Sequence, residues 1–160
     1  MEQNIIKAIA LMQHKGETFY IANGTAYTDE AMTDKVTEYD EDNYNNDYLV
    51  LTDDEATEKA NENIKEGLWT FDADFICSQV GLPSEAQEMV NSFCCSACER
   101  ANDTILAMVE ESAGGLEGFQ SAAIQAYGRG HFISFYDREE NEVTVVVDGE
   151  NHTFYIYRMN

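Results

Sequence analysis

The sequence is poor in basic residues, and this scarcity sets its electrostatic character. Only 9 Lys and Arg accompany 31 Asp and Glu, so the 160 residues carry a formal net charge of −22. Such a charge argues against direct binding to nucleic acid or to an anionic membrane, because both attract Lys and Arg. We therefore expect neither contact, whereas a basic protein partner fits the charge.

Proline and long apolar runs are also scarce. The chain has one Pro, and no stretch approaches the roughly 18 apolar residues that a membrane span needs. Met1–His14 lacks the basic flank and the small-residue cleavage site of a signal peptide. A hydrophobic fraction of 44% suffices for a core and excludes disorder throughout. The sequence therefore predicts a soluble cytosolic protein.

Metal-binding patterns are incomplete. Of the four cysteines, Cys94, Cys95 and Cys98 fall within five residues, and a second Cys-x-x-Cys pair is absent. We predict reduced, mostly buried cysteines, with a zinc site as the alternative. The acidic loop Asp40–Asp47 imitates a calcium loop, but Leu51 stands where the bidentate glutamate should be. We therefore predict no metal and no cofactor.

Local patterns predict a helix and a hairpin near the N-terminus. Apolar residues recur at close to helical spacing over Glu2–His14. Asn23–Gly24 separates the strand-like segments Thr18–Ala22 and Thr25–Thr28. Asn-Gly favours a type I′ turn, because both central residues of that turn need positive φ. A β-hairpin is therefore predicted.

A strand and a capped helix are predicted next. Tyr48–Leu51 is typical of a short strand, and Thr52 with Glu55 has the capping-box pattern that opens a helix, here one reaching about Leu68. The aromatic residues after it are predicted to be core: Trp69, Phe71 and Phe75.

The middle of the chain predicts one long helix. Ser84 and Gln87 form a second capping-box pattern, and apolar residues then recur every three or four positions to Glu111. This stripe fits a core face, with a homodimer seam as the alternative. Its members are Val90, Cys94, Ala97, Ala101, Ile105 and Met108. Another short helix is predicted over Leu116–Tyr127.

The C-terminal part predicts strands. His131–Tyr136, Val143–Val147 and Phe154–Arg158 suggest a three-stranded meander. We therefore predict an α+β fold, with central helices packed on a mainly antiparallel sheet. Residues 1–47 are interpreted as an extension of helix, hairpin and acidic loop on an α+β core at 48–160, within one compact domain overall.

Enzyme signatures are missing. The sequence has no Walker loop, no Gly-x-Ser-x-Gly, no His-Glu-x-x-His and no dinucleotide fingerprint following a strand. His131, beside Gly128–Arg129–Gly130, is the best acid/base candidate, and it would need Asp137 or Glu139 as a partner. A structural histidine is the favoured interpretation. We predict no enzymatic activity and no catalytic residue.

Negative charge is concentrated between Asp29 and Glu66, which hold 14 acids and three lysines. Four glutamates on the predicted helix follow one another at spacings of 3, 4 and 4 and form one acidic line. We predict a partner-binding set on this helix and in the preceding loop. Its members are Asp53, Asp54, Glu55, Glu58, Glu62 and Glu66, with Asp40, Glu41, Asp42 and Asp47 as a mobile supplement.

The total charge is sufficient to imitate DNA. A globule of this length is roughly 40 Å across, and duplex DNA carries about 23 charges over that span. The net charge of −22 matches that number. The match does not show that the charges share a face, and a generally acidic soluble protein is the alternative interpretation.

Three segments share a pattern with known proteins. They are Tyr48–Ala56 (YLVLTDDEA), Glu66–Ile76 (EGLWTFDADFI) and Gly128–Arg158, which begins GRGHFISFYDREENE and ends in FYIYR. These segments resemble a group of small, uncharacterised bacteriophage proteins. The resemblance implies a phage origin and synthesis in the host bacterial cytoplasm, and it implies no particular activity. Residues 1–47 and Thr144–Val147 depart from the pattern.

A second resemblance concerns Gln125–Arg129 (QAYGR) followed by Phe132–Ser134. This pair is weakly similar to the end of ArdA-type antirestriction proteins, acidic DNA mimics that inhibit type I restriction enzymes. The sequence therefore favours a phage-encoded inhibitor of a basic, nucleic-acid-binding host defence enzyme. The alternative is a phage accessory or virion-associated structural protein without inhibitory activity.

Overall fold

The computed structural model describes residues 1–43 and 47–160 and confirms the predicted α+β class. The predicted acidic loop Asp40–Asp47 lies in part, at residues 44–46, outside the described residues. The helices are α1 (Gln3–Lys15), α2 (Asp53–Glu66), α3 (Ala73–Val80), α4 (Gln87–Ala97), α5 (Asn102–Glu111), α6 (Gly115–Tyr127) and α7 (Arg129–Ile133). The strands are β1 (Tyr20–Ala22), β2 (Thr25–Tyr27), β3 (Tyr48–Leu51), β4 (Asn141–Val147) and β5 (Glu150–Arg158). Short 3-10 helices cover Leu68–Thr70, Ser84–Ala86 and Cys98–Ala101.

The chain forms two compact units. Residues 1–58 and 129–160 make up the first, here called the sheet unit, and residues 59–128 make up the second, the helical unit. The division falls within α2. The boundary predicted at residue 47 falls inside the sheet unit, whose core takes Ile9 from one side of it and Ile156 from the other.

A three-stranded antiparallel sheet with the order β3-β5-β4 carries the core of the sheet unit. Helix α1 packs on this sheet through Ile6, Ile9 and Ala10, which are buried at helical spacing. Gly16 ends the helix with a φ of 73°, a left-handed conformation that suits glycine. The predicted N-terminal helix is confirmed.

The predicted hairpin, strand and first capping box are also confirmed. Asn23 and Gly24 connect β1 to β2 with φ values of 51° and 72°, as a type I′ turn requires. At the start of α2 the Thr52 N–H donates to Glu55 Oε2 at 2.8 Å, and the Glu55 N–H donates to Thr52 Oγ1 at 3.3 Å. These reciprocal bonds satisfy two N–H groups at the helix terminus.

The predicted C-terminal meander is confirmed for two of its strands, β4 and β5, which pair antiparallel, and is wrong for the third. The segment predicted as a strand, His131–Tyr136, begins inside α7, and the third strand of the sheet is β3 instead. A strand there would bury one face, yet Phe135 and Tyr136 are 77% and 57% exposed. Gly130 permits the actual packing, because a Cβ at that position would lie 2.6 Å from the Arg138 carbonyl oxygen.

The single long helix predicted in the helical unit is wrong as well. Helix α4 ends at Ala97, Cys98 adopts a φ of 52°, and α5 starts at Asn102. The Asn102 amide explains the second start, because it donates to the Lys65 carbonyl oxygen at 2.9 Å and accepts from the Trp69 N–H at 3.2 Å. Residues on both sides of the break stay buried, so the apolar spacing did not reveal it.

The second predicted capping box does not form as expected. Ser84 lies within a 3-10 turn, and its hydroxyl contacts Glu85 at 3.4 Å. Ala86, the residue at the actual start of α4, makes no side-chain cap. The cause is the short 3-10 turn, which moves the N-cap two residues along the chain, from Ser84 to Ala86.

Aromatic rings form a cluster in the helical unit. Phe71 and Phe75 stack with ring centroids 5.3 Å apart, and Phe119 meets both rings edge-on. Phe119 is buried on α6, the predicted short helix, which is confirmed. The predicted core role of Trp69, Phe71 and Phe75 is met in part, because all three are half-buried.

All four cysteines are free, as predicted. Cys77 and Cys94 are buried, but Cys95 and Cys98 are exposed, which corrects the prediction that most are buried. Cys98 was expected on the buried face of one long helix. Because α4 ends at this residue, Cys98 does not continue that face.

Within residues 1–43 and 47–160, no helix combines the length and the apolar character needed to cross a bilayer.

Candidate functional site

An acidic cleft of about 480 Å³ lies in the sheet unit. The start of α1, the chain that follows Glu38, and the first turn of α2 form its walls. Five of its eight lining residues are acids. The acidic cleft is lined by Asn4, Lys7, Glu38, Tyr39, Asp40, Glu41, Asp42 and Glu55.

Lys7 and Glu55 form an ion pair at the wall of the acidic cleft. The Lys7 Nζ lies 2.7 Å from Glu55 Oε2, and the two side chains are 6% and 42% exposed. Burial alone would raise the pKa of Glu55, but the hydrogen bonds from Lys7 and Thr52 outweigh burial and lower it. Glu55 is therefore held as a carboxylate while it caps α2.

Tyr39 fixes another wall of the cleft. Its hydroxyl accepts from the buried Val50 N–H at 3.0 Å and donates to the Tyr48 carbonyl oxygen at 3.3 Å. Burial raises the pKa of Tyr39 to about 12, and the nearby carboxylates add to the shift. The chain entering the acidic loop is thus attached to the edge of β3 by a neutral phenol.

A second cluster, here called the arginine network, surrounds the start of α7. Arg129 donates from Nε and Nη2 to the two carboxylate oxygens of Glu140, at 2.9 and 3.0 Å. Its Nη1 donates to Asp53 Oδ1 at 2.7 Å, and its guanidinium lies 4.4 Å from the Tyr155 ring centroid. The buried Tyr157 hydroxyl also donates to Glu140.

The arginine network is suited to holding the fold together. The Arg129 side chain is only 12% exposed, and the hydrogen bonds from its guanidinium to carboxylates raise its pKa against the effect of burial. It joins α7, β5 and the start of α2 within the sheet unit. Asp53, predicted to bind a partner, is engaged inside the protein instead.

The structure divides the predicted partner-binding set into four groups, one of which is Asp53 alone, bound by Arg129. Asp40, Glu41 and Asp42 share the acidic cleft with Glu55. Asp47 lies elsewhere, with its carboxylate 3.4 Å from the Asn160 amide nitrogen. The remaining acids are exposed on α2 and take part in none of the ion pairs found in the described residues: Asp54, Glu58, Glu62 and Glu66.

Sequence reasoning missed several residues of these sites, among them Lys7, Glu38 and Arg129. Lys7 gave a usable signal, because it is a lysine among the apolar residues of α1. Glu38 lies in the acid-rich segment but precedes the predicted acidic loop Asp40–Asp47. Arg129 gave no local signal. Its partner Asp53 lies far away in the sequence, and its partner Glu140 is one of several acids in a short stretch.

His131 lies in α7 instead of at the start of a strand. Burial lowers its pKa, and the charge of Arg138 lowers it further. The Asp137 carboxylate, one of the two alternative partners for an acid/base role, accepts bonds from the Ser134 hydroxyl and the Glu139 N–H. These bonds hold Asp137 within its own turn.

Among the described residues, no group of three or more His, Cys, Asp or Glu side chains has an arrangement that could hold a metal ion. The acidic cleft already contains one cation, the Lys7 ammonium. Its carboxylates are suited to attracting a further ammonium or guanidinium group by charge.

Comparisons of the chain with protein-family models, with curated proteins and with solved structures found no match.

Proposed function

We propose that this protein is a phage-encoded acidic inhibitor that binds a basic, nucleic-acid-binding defence enzyme in the host bacterial cytoplasm. It acts by presenting a DNA-like negative surface, and it catalyses no reaction. The phage origin rests on the sequence resemblance, and the mode of action rests on the charge arrangement.

The observation that carries the proposal is that two basic side chains of the sheet unit form ion pairs within that unit. The sheet unit has 20 Asp and Glu residues against six Lys and Arg, a net charge of −14. Lys7 and Arg129 are almost buried and paired with carboxylates of the same unit. Two of the few positive charges are thereby withdrawn from the surface, so the exposed carboxylates are left largely uncompensated. Such a surface favours fast, salt-dependent association with a positive groove.

Helix α2 supplies a preorganised row of charge. Glu58, Glu62 and Glu66 are exposed and follow one another at four-residue intervals, about 6 Å along the helix axis. A rigid row loses less entropy on binding than a loop that must become ordered. We therefore expect α2 to contribute more to partner binding than the acids at Asp40–Asp42.

Two charge-reversal variants test the proposal. Glu58→Lys/Glu62→Lys/Glu66→Lys changes the helix, and Asp40→Lys/Glu41→Lys/Asp42→Lys changes the loop by the same six charges. Immobilised wild-type protein is first used to capture a nucleic-acid-binding protein from host lysate at low salt. Each chain is then titrated against a complex of the captured protein with labelled duplex DNA. We expect displacement of the DNA by wild type, a loss of at least tenfold in affinity for the helix variant, and a smaller loss for the loop variant.

Three results would argue against the proposal. Failure to retain any nucleic-acid-binding protein at low salt would show that the proposed partner does not bind. Equal, small effects of the two variants indicate a diffuse charge that serves solubility. Stoichiometric presence of the chain in purified phage particles, measured by mass spectrometry, favours the virion-associated alternative.

A further inference from the structure

Cys95 and Cys98 form an exposed pair of thiols in the helical unit. Cys95 lies in the last turn of α4, and Cys98 is the residue at which that helix ends. Cys77 and Cys94 are buried and are screened from reagents in solution. Reagents in solution can therefore reach Cys95 and Cys98.

The backbone at Cys98 is strained. Its φ of 52° and ψ of −132° lie in a region that glycine adopts freely and that a residue with a Cβ rarely adopts. Such conformations cost of order 1–3 kcal/mol and are frequent at functional sites. A glycine would break the helix without this cost.

The two cysteines are close enough to be linked. Ala97 still has helical dihedral angles, φ −88° and ψ −22°, so the chain is helical up to the Cα atom of Cys98. Helix geometry then separates the Cα atoms of Cys95 and Cys98 by about 5 Å, inside the range of roughly 4.4–6.8 Å that disulfides span.

The two side chains must leave their present contacts to meet. The Cys98 sulfur folds back to 3.4 Å from the Cys95 carbonyl oxygen, over the turn that carries Cys95. The Cys95 sulfur lies 3.8 Å from Asn91 Oδ1, an exposed contact. Rotation about χ1 of Cys95 releases this contact and turns its sulfur toward Cys98.

We propose that Cys95 and Cys98 form a reversible intramolecular disulfide by exchange with a small-molecule disulfide such as oxidised glutathione. One thiolate attacks a glutathione sulfur, which breaks the S–S bond and releases one glutathione thiol. The second thiolate attacks the protein sulfur of the mixed disulfide and releases the other glutathione thiol. Two electrons and two protons pass from the protein thiols to glutathione.

The bond links the last turn of α4 to Cys98, the residue at which that helix ends, and restrains the chain there. Strained or exposed disulfides have the more oxidising potentials and are the labile ones, which fits a bond between exposed thiols at a strained residue. This inference concerns residues outside the acidic surfaces and does not depend on the proposed function.

Equilibration of the full chain with oxidised and reduced glutathione tests the proposal. Free thiols are then alkylated under denaturing conditions, and products are assigned by tandem mass spectrometry. We expect alkylated cysteines to fall from four to two as the glutathione pool becomes oxidised, with Cys95 linked to Cys98. Cys95→Ser and Cys98→Ser should each abolish the bond and accumulate a mixed disulfide, whereas the matched control Cys94→Ala should retain it.

A further variant separates the thiol from the backbone. Cys98→Gly relieves the strained φ, so it should fold with at least wild-type thermal stability and still form no disulfide. Absence of the bond in wild type at every glutathione ratio would overturn the proposal. A Cys94–Cys98 bond in its place would also overturn it.

Discussion

At the scale of single residues, Tyr39 shows how one hydroxyl can bond a backbone N–H at the edge of a sheet. Strand β3 pairs with β5 on one side, and the Val50 N–H finds its acceptor in the Tyr39 hydroxyl instead of in another strand. Val50 is fully buried, so its N–H has no access to solvent if that hydroxyl is lost. The residue therefore links the acidic cleft to the core.

Tyr39→Phe should destabilise the sheet unit. The substitution keeps the ring but leaves the buried Val50 N–H without its acceptor, which costs about 1–3 kcal/mol. Chemical denaturation followed by circular dichroism measures the loss. Tyr136→Phe is the matched control, because that ring is 57% exposed and its contact with Arg158 is to the ring face. Equal stability of Tyr39→Phe and wild type would show that the hydroxyl is dispensable.

Glu55→Gln should remove a pH-dependent contribution to stability. The pKa of Glu55 is lower in the folded state than the ordinary value of 4.5, so its contribution is full above that value. The contribution is lost as the pH falls through the folded pKa. A charge-assisted bond to a carboxylate that is 42% exposed is worth about 1 kcal/mol after allowance for screening by solvent.

Denaturation of wild type and Glu55→Gln between neutral pH and pH 3 measures this contribution. We expect the difference in unfolding free energy to be greatest at neutral pH and to shrink below about pH 4.5. Glu58→Gln, an exposed change on the same helix, is the matched control. A difference that stays constant across the range would exclude ionisation of Glu55 as its cause.

At the scale of elements, the sequence predicted what short-range chemistry determines. The Asn23–Gly24 turn, the Thr52 and Glu55 capping box and the stop at Gly16 each depend on neighbours within a few residues. The break at Cys98 depends on Asn102, whose side chain reaches Lys65 far away in the chain. Apolar spacing continues through that break, so no local pattern signals it.

The same distinction applies to the candidate site. Composition identified the acids of Asp40–Asp42 and of α2 without showing that Glu55 shares a cleft with the loop. Composition also did not show that Arg129 binds Asp53. That pair forms only when the fold brings α7 to the start of α2. Which carboxylates remain available to a partner is decided by tertiary contacts.

At the scale of the whole molecule, charge opposes folding in both units. The sheet unit carries −14 and the helical unit −8, with only three basic residues in the latter. Each unit must therefore hold like charges together, and the internal ion pairs of Lys7 and Arg129 offset only part of that repulsion. Repulsion within the acidic surface therefore lowers the stability of the fold.

Added salt should therefore stabilise the protein. Raising NaCl from about 0.01 M to 0.15 M shortens the Debye length from about 30 Å to about 8 Å and screens repulsion between exposed carboxylates. Each 1 kcal/mol recovered raises Tm by ~2–4 °C for a chain of this size. Thermal unfolding followed by circular dichroism measures the rise. The variants Glu58→Lys/Glu62→Lys/Glu66→Lys and Asp40→Lys/Glu41→Lys/Asp42→Lys, each with a net charge of −16, should respond less than wild type. A fall of Tm with salt would mean that the internal ion pairs stabilise the fold by more than the surface repulsion opposes it.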